Sequence, residues 1–154
     1  MNQAVMFSSA SDEWATPQEL FDRLNKIFRF NLDAAATLEN AKCNEFYTKK
    51  ENGLSRPWHG NVWLNPPYGR QIGAWVKKAY EEVTRGGAAS VVLLLPARTD
   101  TAWYHDYCKK GFVIFLRGRL KFGGAKNAAP FPSMIVIFMK IGSEISDKRR
   151  NYDR

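Results

Sequence analysis

Cysteine, histidine and acidic residues are scarce in this chain of 154 residues. Its two cysteines, Cys43 and Cys108, lie far apart, and neither has a Cys-x-x-Cys partner or a histidine-rich neighbourhood. The sequence therefore supports neither a disulfide framework nor a zinc site, and we expect no metal. Asp and Glu number 15 against 23 Lys and Arg, which gives a formal net charge of +8. Such an excess of positive charge favours a polyanionic or acidic partner.

The chain also lacks a hydrophobic run that could span a bilayer, and its start lacks the charged-then-apolar pattern of a signal segment. We therefore expect a soluble, cytoplasmic protein with no membrane partner. Hydrophobic residues make up 45% of the chain, which indicates a globular protein rather than a disordered one. The length suits one domain. We expect a flexible N-terminal arm over 1–12, a single domain over 13–142 and a charged tail over 143–154.

Hydrophobic periodicity predicts alternating helices and strands, which is typical of an α/β domain. Thr16 as N-cap and Pro17 at the first helical position begin a helix over 17–28. Further helices are predicted over 72–83, ending at Gly86-Gly87, and over 101–110, ending at Gly111. Short strands are predicted at 30–33, 46–47 and 62–64. The continuous apolar run over 90–95 indicates a central strand that is buried on both faces.

The sequence pattern in the last third of the domain predicts an antiparallel unit at the edge of the sheet. Residues 112–116 are expected to form another buried strand, residues 119–122 alternate between basic and apolar, and residues 134–139 are apolar throughout. On a strand, Arg119 and Lys121 would project from one face, while Leu120 and Phe122 would enter the core. The expected sheet is therefore mixed, with few helices.

Asn65-Pro66-Pro67-Tyr68 follows the predicted strand 62–64 and precedes a predicted helix. Strand-to-helix loops of this kind bind the ligands of open α/β sheets. The Asn65 side-chain carbonyl and the Pro66 carbonyl, which Pro67 restrains to an extended geometry, form two acceptors suited to an exocyclic amine. Tyr68 adds an aromatic face for a planar ring. The alternative is an ordinary proline-rich turn.

Together, several segments resemble the phage-type, Dam-like DNA N6-adenine methyltransferases: 12–17, 32–35, 52–54 with Trp58, 62–69, 95–98, 119–122 and 129–133. The resemblance implies a compact, Rossmann-like class I methyltransferase fold with an antiparallel C-terminal edge. It also implies S-adenosylmethionine as methyl donor, adenine N6 in double-stranded DNA as acceptor, and a phage or prophage origin in a bacterial host. The oligomeric state stays open between monomer and homodimer.

The resemblance also implies roles for individual residues. The catalytic set is Asn65, Pro66, Pro67 and Tyr68, and the cofactor-binding set is Trp14, Ala15, Thr16, Asp33, Ala34, Asn52, Leu54 and Asn65. Asp33 would accept from the cofactor's ammonium group, residues 14–16 would hold its methionine end, and Asn52 its adenine. The alternatives are a turn or cap aspartate and a plain helix cap with a packed tryptophan. No Gly-x-Gly-x-x-Gly pattern is present, and Ala34-Ala35-Ala36 stands after the first strand.

Basic residues crowd the second half of the chain. The expected DNA contacts are Arg98, Arg117, Arg119, Lys121 and Lys126, although a solvated basic surface is the alternative. Contacts to phosphate would set affinity and salt dependence rather than sequence choice.

The expected mechanism is base flipping followed by direct methyl transfer, with positioning as the main catalytic effect and no strong general base. Two other functions stay open at this point. One is methylation of a protein glutamine, because such enzymes also carry Asn-Pro-Pro-Tyr. The other is a non-catalytic DNA-binding remnant of the family.

Overall fold

Six strands form one mixed sheet in the computed structural model, which describes residues 14–124 and 126–140. In chain order the elements are α1 (Gln18–Phe28), β1 (Leu32–Asp33), β2 (Glu45–Phe46), β3 (Gly60–Leu64), α2 (Ile72–Thr84), β4 (Ala88–Pro96), α3 (Ala102–Asp106), β5 (Phe112–Phe115) and β6 (Ser133–Met139). Short 3₁₀ turns lie at Gly53–Ser55 and Cys108–Lys110. The predicted arm over 1–12 and tail over 143–154 lie outside the described residues.

The strand order is β2-β1-β3-β4-β6-β5. Each neighbouring pair from β2 to β4 is parallel, whereas β6 is antiparallel to both β4 and β5. The predicted α/β class, a Rossmann-like mixed sheet with an antiparallel C-terminal edge, is therefore confirmed. The chain leaves β1 for β2 on one side and returns to β3 on the other. This makes the carboxyl end of β1 a topological switch point, the place where open α/β sheets bind ligands.

The central strand is β4, as predicted. Eight of its nine residues are buried, all except Ala89, and it pairs with β3 and β6 along most of its length. Helix α1 packs Phe21 against Trp63 of β3, with 5.5 Å between ring centroids. Helix α2 packs Tyr80 against Phe138 of β6 at the same distance. Large apolar side chains on both helices thus cover a sheet that is itself apolar. Among the described residues, no helix combines the length and apolarity that crossing a membrane requires.

The start of α1 differs from the prediction. Pro17 stands immediately before the helix, its carbonyl accepts from Phe21 N at 3.1 Å, and no side chain caps the helix. Thr16 is buried, and its hydroxyl accepts instead from Asn65 Nδ2 at 3.0 Å. The prediction that Thr16 is the N-cap was therefore wrong, because a residue 49 positions along the chain binds the hydroxyl that would have capped the helix.

Two elements, the first strand and the third helix, are shorter than the sequence suggested. The first strand begins at Leu32 rather than residue 30, because Phe30 N closes the end of α1 by donating to Asn25 Oδ1 at 2.8 Å. The third helix covers only Ala102–Asp106, after which the chain tightens into the 3₁₀ turn Cys108–Lys110.

Two predictions about the C-terminal unit were wrong. Strand β5 is not buried: Ile114 is 48% exposed and Phe115 56% exposed, because β5 is the outer strand and pairs only with β6. Residues 119–122 form no strand. Even so, Phe122 is buried while Arg119 and Lys121 are exposed. These cations therefore face solvent and Phe122 enters the core, as expected, although the segment is not a strand.

A close backbone approach joins the 3₁₀ turn at Gly53 to the segment that follows β1. Gly53 is buried, and its carbonyl accepts from Trp58 Nε1 at 2.9 Å. A Cβ atom added at Gly53 would lie 2.3 Å from the Ala34 carbonyl oxygen and 3.1 Å from the Trp75 ring. No side chain fits there without moving backbone, so this position requires glycine.

We predict that Gly53→Ala destabilises the protein by about 1–3 kcal/mol, the usual cost of overpacking a dense core. Gly73→Ala is the matched control, because that Cβ would lie 3.5 Å from Trp103, an ordinary contact, within α2. The control should leave stability unchanged or raise it by up to about 1 kcal/mol. Chemical denaturation measures both, and equal stabilities of the two variants would contradict the prediction.

Candidate active site

A cavity of about 300 Å³ lies at the carboxyl ends of β1 and β3, at the switch point of the sheet. Its walls come from four parts of the chain that are distant in sequence: the segment before α1, the loop after β1, the segment from the end of β2 to the 3₁₀ turn, and the loop into α2. The predicted site residues that line it are Trp14, Ala15, Thr16, Asp33, Asn52, Asn65 and Pro67. Ala34, Leu54, Pro66 and Tyr68 are not in the lining.

Asp33 ends β1 and is 3% exposed. Its Oδ2 accepts from Lys42 N at 3.0 Å, and its Oδ1 accepts from Ala35 N at 3.4 Å. Burial raises the pKa of the carboxyl from 3.8 to about 6, although the two backbone donors act in the opposite direction. The charged form is therefore costly in the free protein, and a cation in the cavity would stabilise it.

The loop after β1 forms one wall of the cavity, and Asp33 holds both of its ends through Ala35 N and Lys42 N. Within the loop, Thr37 N donates to Asn40 Oδ1 at 2.7 Å, and Asn40 N donates to Thr37 Oγ1 at 3.1 Å. Ala35, Ala36, Thr37 and Asn40 all line the cavity. Small and mutually bonded side chains thus build this wall without a glycine-rich turn.

The nitrogen and the oxygen of the Asn65 side-chain amide have different surroundings. Its Nδ2 donates to the Trp14 carbonyl and to Thr16 Oγ1, which attaches the segment before α1 to the loop that follows β3. Its Oδ1 is buried and has no hydrogen-bond partner among the described residues. A buried acceptor without a donor costs free energy, so it marks a place where a ligand donor would be stabilising.

Tyr68 lies behind the cavity rather than in its wall. Its ring is 4% exposed, and its hydroxyl donates to the Leu94 carbonyl at 3.0 Å. Phe122 and Phe131 contact this ring in edge-to-face geometry, at centroid distances of 6.2 and 5.6 Å. Burial raises the pKa of the hydroxyl, which therefore stays neutral. In this conformation Tyr68 anchors the loop to β4.

The loop between β5 and β6 packs against Tyr68 and against the segment before α1. Trp14 meets Phe122 and Phe131 edge-on, at 5.3 and 5.2 Å between centroids. Gly123 N donates to the Ala15 carbonyl at 2.8 Å. Within this loop Arg117, Arg119, Lys121 and Lys126 are exposed, as is Arg98 after β4, and none of these five lines the cavity. The predicted DNA contacts are therefore all exposed, and none of them enters the cavity.

Sequence reasoning did not assign most of the residues that line the cavity. Trp75 and Gln71 reach it from α2 and the turn before it, and Tyr47, Thr48, Lys49 and Gly53 reach it from the segment after β2. Helical periodicity placed Trp75 on the apolar face of α2, but that signal does not separate a core residue from a cavity residue. Asn52 is in the left-handed region at φ 58° and bonds Leu54 N through its own Oδ1 at 3.3 Å.

Neither a metal centre nor a reactive thiol is indicated. Among residues 14–124 and 126–140, no three His, Cys, Asp or Glu side chains converge as metal ligands. Burial raises the pKa of both Cys43 and Cys108 to about 12, so both thiols stay protonated at neutral pH. Among the described residues, the site therefore consists of a cavity, the buried carboxyl group of Asp33 and the unpaired side-chain oxygen of Asn65.

Comparisons with known proteins identify the family of this chain. The family described as DNA N-6-adenine-methyltransferase (Dam) matches residues 3–150. The chain is 43% identical over 98 residues to the DNA N-6-adenine-methyltransferase of Escherichia phage T1, an alignment that covers 62% of this chain and 40% of that protein. It is 30% identical over 149 residues to the DNA N-6-adenine-methyltransferase of Haemophilus phage HP1 (strain HP1c1), covering 90% of this chain and 84% of that protein.

The match thus spans less than half of the phage T1 protein and most of the phage HP1 protein. The family match covers almost the whole chain. The resemblance inferred from the sequence motifs is therefore confirmed, and this chain belongs to the DNA N-6-adenine-methyltransferase (Dam) family.

Proposed function

We propose that this protein methylates the exocyclic N6 of adenine in double-stranded DNA with S-adenosylmethionine as donor. The observation that carries the proposal is the amide of Asn65, whose Oδ1 is buried without a partner in a residue that lines the cavity. An exocyclic amine supplies the donor that this oxygen lacks. Family membership supports the same reaction. A cytoplasmic location would follow from a DNA substrate in a bacterial host.

The residues beside Asp33 fit the cofactor. When bound, S-adenosylmethionine supplies an electrophilic methyl group. Asp33 would accept from its ammonium group, because a buried carboxylate that is costly to ionise gains most from a cation. Trp14, Ala15 and Thr16 would hold the methionine end, and Asn52 would contact the adenine. Ala34 and Leu54 would act through the backbone position of their segments, since neither lines the cavity.

The catalytic loop would orient the acceptor. Asn65 Oδ1 and the Pro66 carbonyl accept the two N–H groups of N6, and this points the nitrogen lone pair toward the methyl donor. The sulfonium of the cofactor would supply the methyl group: its C–S bond would break as the N–C bond forms, the sulfur would leave as a neutral thioether, and N6 would then lose its proton to water. No strong general base is required, so positioning supplies most of the barrier reduction. Pro67 keeps the preceding carbonyl extended.

The target adenine must leave the duplex, because N6 is stacked and paired there. Tyr68 would stack on the flipped ring. Phe122 and Phe131 now pack against the Tyr68 ring in edge-to-face geometry, so the loop between β5 and β6 would have to move them aside first. That loop carries Arg117, Arg119, Lys121 and Lys126. The free energy of their contacts with phosphate would offset the cost of moving the loop.

Labelled-methyl transfer tests the proposal. With the tritiated cofactor, we expect label in adenine of unmethylated bacterial genomic DNA and none in added bacterial protein extract. Label in protein glutamine would favour the alternative enzyme. Cofactor binding in calorimetry without transfer to either acceptor would contradict both enzymatic functions.

We predict that cofactor affinity rises about tenfold between pH 5 and pH 7. With a pKa of about 6 in the free protein, the ionised fraction of Asp33 rises by about that factor over this interval. Only the carboxylate attracts the ammonium, so affinity is lost as the pH falls through 6. Asp33→Asn should weaken binding and flatten this dependence, whereas Asp22→Asn, on the exposed face of α1, should keep it. Calorimetry at each pH measures the effect, and a pH dependence that persists in Asp33→Asn would contradict the assignment.

We predict that Asn65→Ala lowers kcat by about 10²- to 10³-fold, the usual loss when one preorganised polar group is removed. Cofactor affinity should fall less than kcat, because it would be affected only through the lost Nδ2 bonds to the segment before α1, whereas the Oδ1 partner is the acceptor base. Thr16→Val is the control, since it removes one partner of Nδ2 and leaves Oδ1 in place. The assignment would be wrong if Asn65→Ala reduced cofactor affinity by as much as it reduced kcat.

We predict that the double variant Arg119→Ala and Lys121→Ala weakens DNA binding and flattens its salt dependence. The log–log slope should fall by about one unit for each phosphate contact that is lost. Cofactor affinity should stay unchanged, because neither side chain lines the cavity. The matched control, Arg23→Ala with Lys26→Ala, removes two exposed cations of α1. An unchanged slope in the first variant would show that the DNA path lies elsewhere, along Lys77, Lys78 and Arg85.

A further inference from the structure

The segment 107–140 contains no Asp or Glu. It contains seven cations, all of them exposed: Lys109, Lys110, Arg117, Arg119, Lys121, Lys126 and Lys140. Strand β5 lies within this segment and forms the outer edge of the sheet. The segment that contains this edge therefore carries exposed positive charge and no acid of its own to neutralise it, and a polyanion would complement it.

The same edge exposes an aromatic side chain. Phe115, the last residue of β5, is 56% exposed, and Ile114 beside it is 48% exposed. Exposed edge strands commonly pair with another chain. Antiparallel pairing with a second copy would bring Lys109 and Lys110 of one chain toward Arg117 of the other, and this repulsion disfavours a dimer here. Nucleic acid satisfies both features, with phosphates for the cations and base faces for the ring.

The sheet register places Phe115 at the level of the catalytic loop. Phe115 is opposite Met134, which is opposite Leu95 of β4. Leu64 is opposite Leu93, so Leu95 is level with the position two residues after Leu64, which is Pro66. Three strand spacings of about 4.8 Å separate β5 from β3, or about 14 Å. That distance corresponds to about four base-pair steps of roughly 3.4 Å.

We propose that Phe115 is a non-ionic DNA contact, an aromatic wedge that stacks on a base near the flipped adenine. The inference rests on the proposed function for the identity of the substrate. Extruding a base leaves the stack open, and apolar side chains that insert between base steps stabilise such distorted duplexes. Arg117 and Arg119, on either side of the Gly118 turn that follows β5, would hold the adjacent phosphates.

Three variants test the wedge through labelled-methyl transfer to unmethylated bacterial genomic DNA at several salt concentrations. Phe115→Ala should lower kcat/KM about 10- to 100-fold at every salt concentration, the range expected for one lost base stack. The slope of log kcat/KM against log salt should not change, because no charge is removed. Phe115→Trp should retain wild-type kcat/KM. Ile114→Ala is the matched control, a comparably exposed apolar residue of the same strand with its side chain on the other face, and it should stay within about twofold.

Thermal unfolding and cofactor calorimetry should be the same in all three variants, since Phe115 is exposed and does not line the cavity. The inference is overturned if Phe115→Ala matches Ile114→Ala, if Phe115→Trp is as impaired as Phe115→Ala, or if the salt slope falls. If the unaltered protein transfers no methyl group to DNA, the proposed function fails and this inference fails with it. If the unaltered protein transfers methyl and Phe115→Ala does so equally well, only the wedge is wrong.

Discussion

The cavity depends on a carboxylate that the fold buries at the end of β1. Asp33 binds the two ends of the loop that forms one wall, through Ala35 N and Lys42 N. Its backbone carbonyl accepts from Tyr47 N at 3.0 Å, and Ala34 N donates to the Trp63 carbonyl at 3.1 Å, so β1 stays joined to both neighbours beyond its last paired residue. Burial raises the pKa of the carboxyl to about 6 despite these donors. The interaction that builds the wall therefore also leaves a carboxylate for which a cation is the best partner.

Asn65 connects this half of the site to the other. An asparagine offers a donor and an acceptor on one planar group, and here the donor is used within the protein while the acceptor is not. An ionised aspartate in the same place would lack the donor for the Trp14 carbonyl and Thr16. The amide therefore suits a chain in which the segment before α1 must be attached to the loop that follows β3. In the proposed reaction, the residue that orients the acceptor nitrogen also positions the segment that holds the donor.

The loop between β5 and β6 brings charge and aromatic packing to the same place. Phe122 and Phe131 seat it on Trp14 and Tyr68, while its cations face solvent. In the proposed function, phosphate bound on the outside of the loop would therefore act on the residues behind the cavity through these ring contacts. Because edge-to-face ring contacts contribute only about 0.5–1.5 kcal/mol each, this seating is strong enough to define a conformation and weak enough for a polyanion to change it.

Local chemistry in the sequence determined the α/β class, the buried central strand β4 and the position of Asn65 after a strand, because periodicity and turn residues report directly on local structure. Asp33 at the end of β1 followed from the same reasoning. Only the tertiary structure decided that Tyr68 is covered, that β5 is an exposed edge and that Trp75 borders the cavity. These properties depend on which elements become neighbours, and a pattern within one segment carries no information about its neighbours. Thr16 shows the reason most simply: its hydroxyl suits a helix cap, but the fold brings a distant amide to it first.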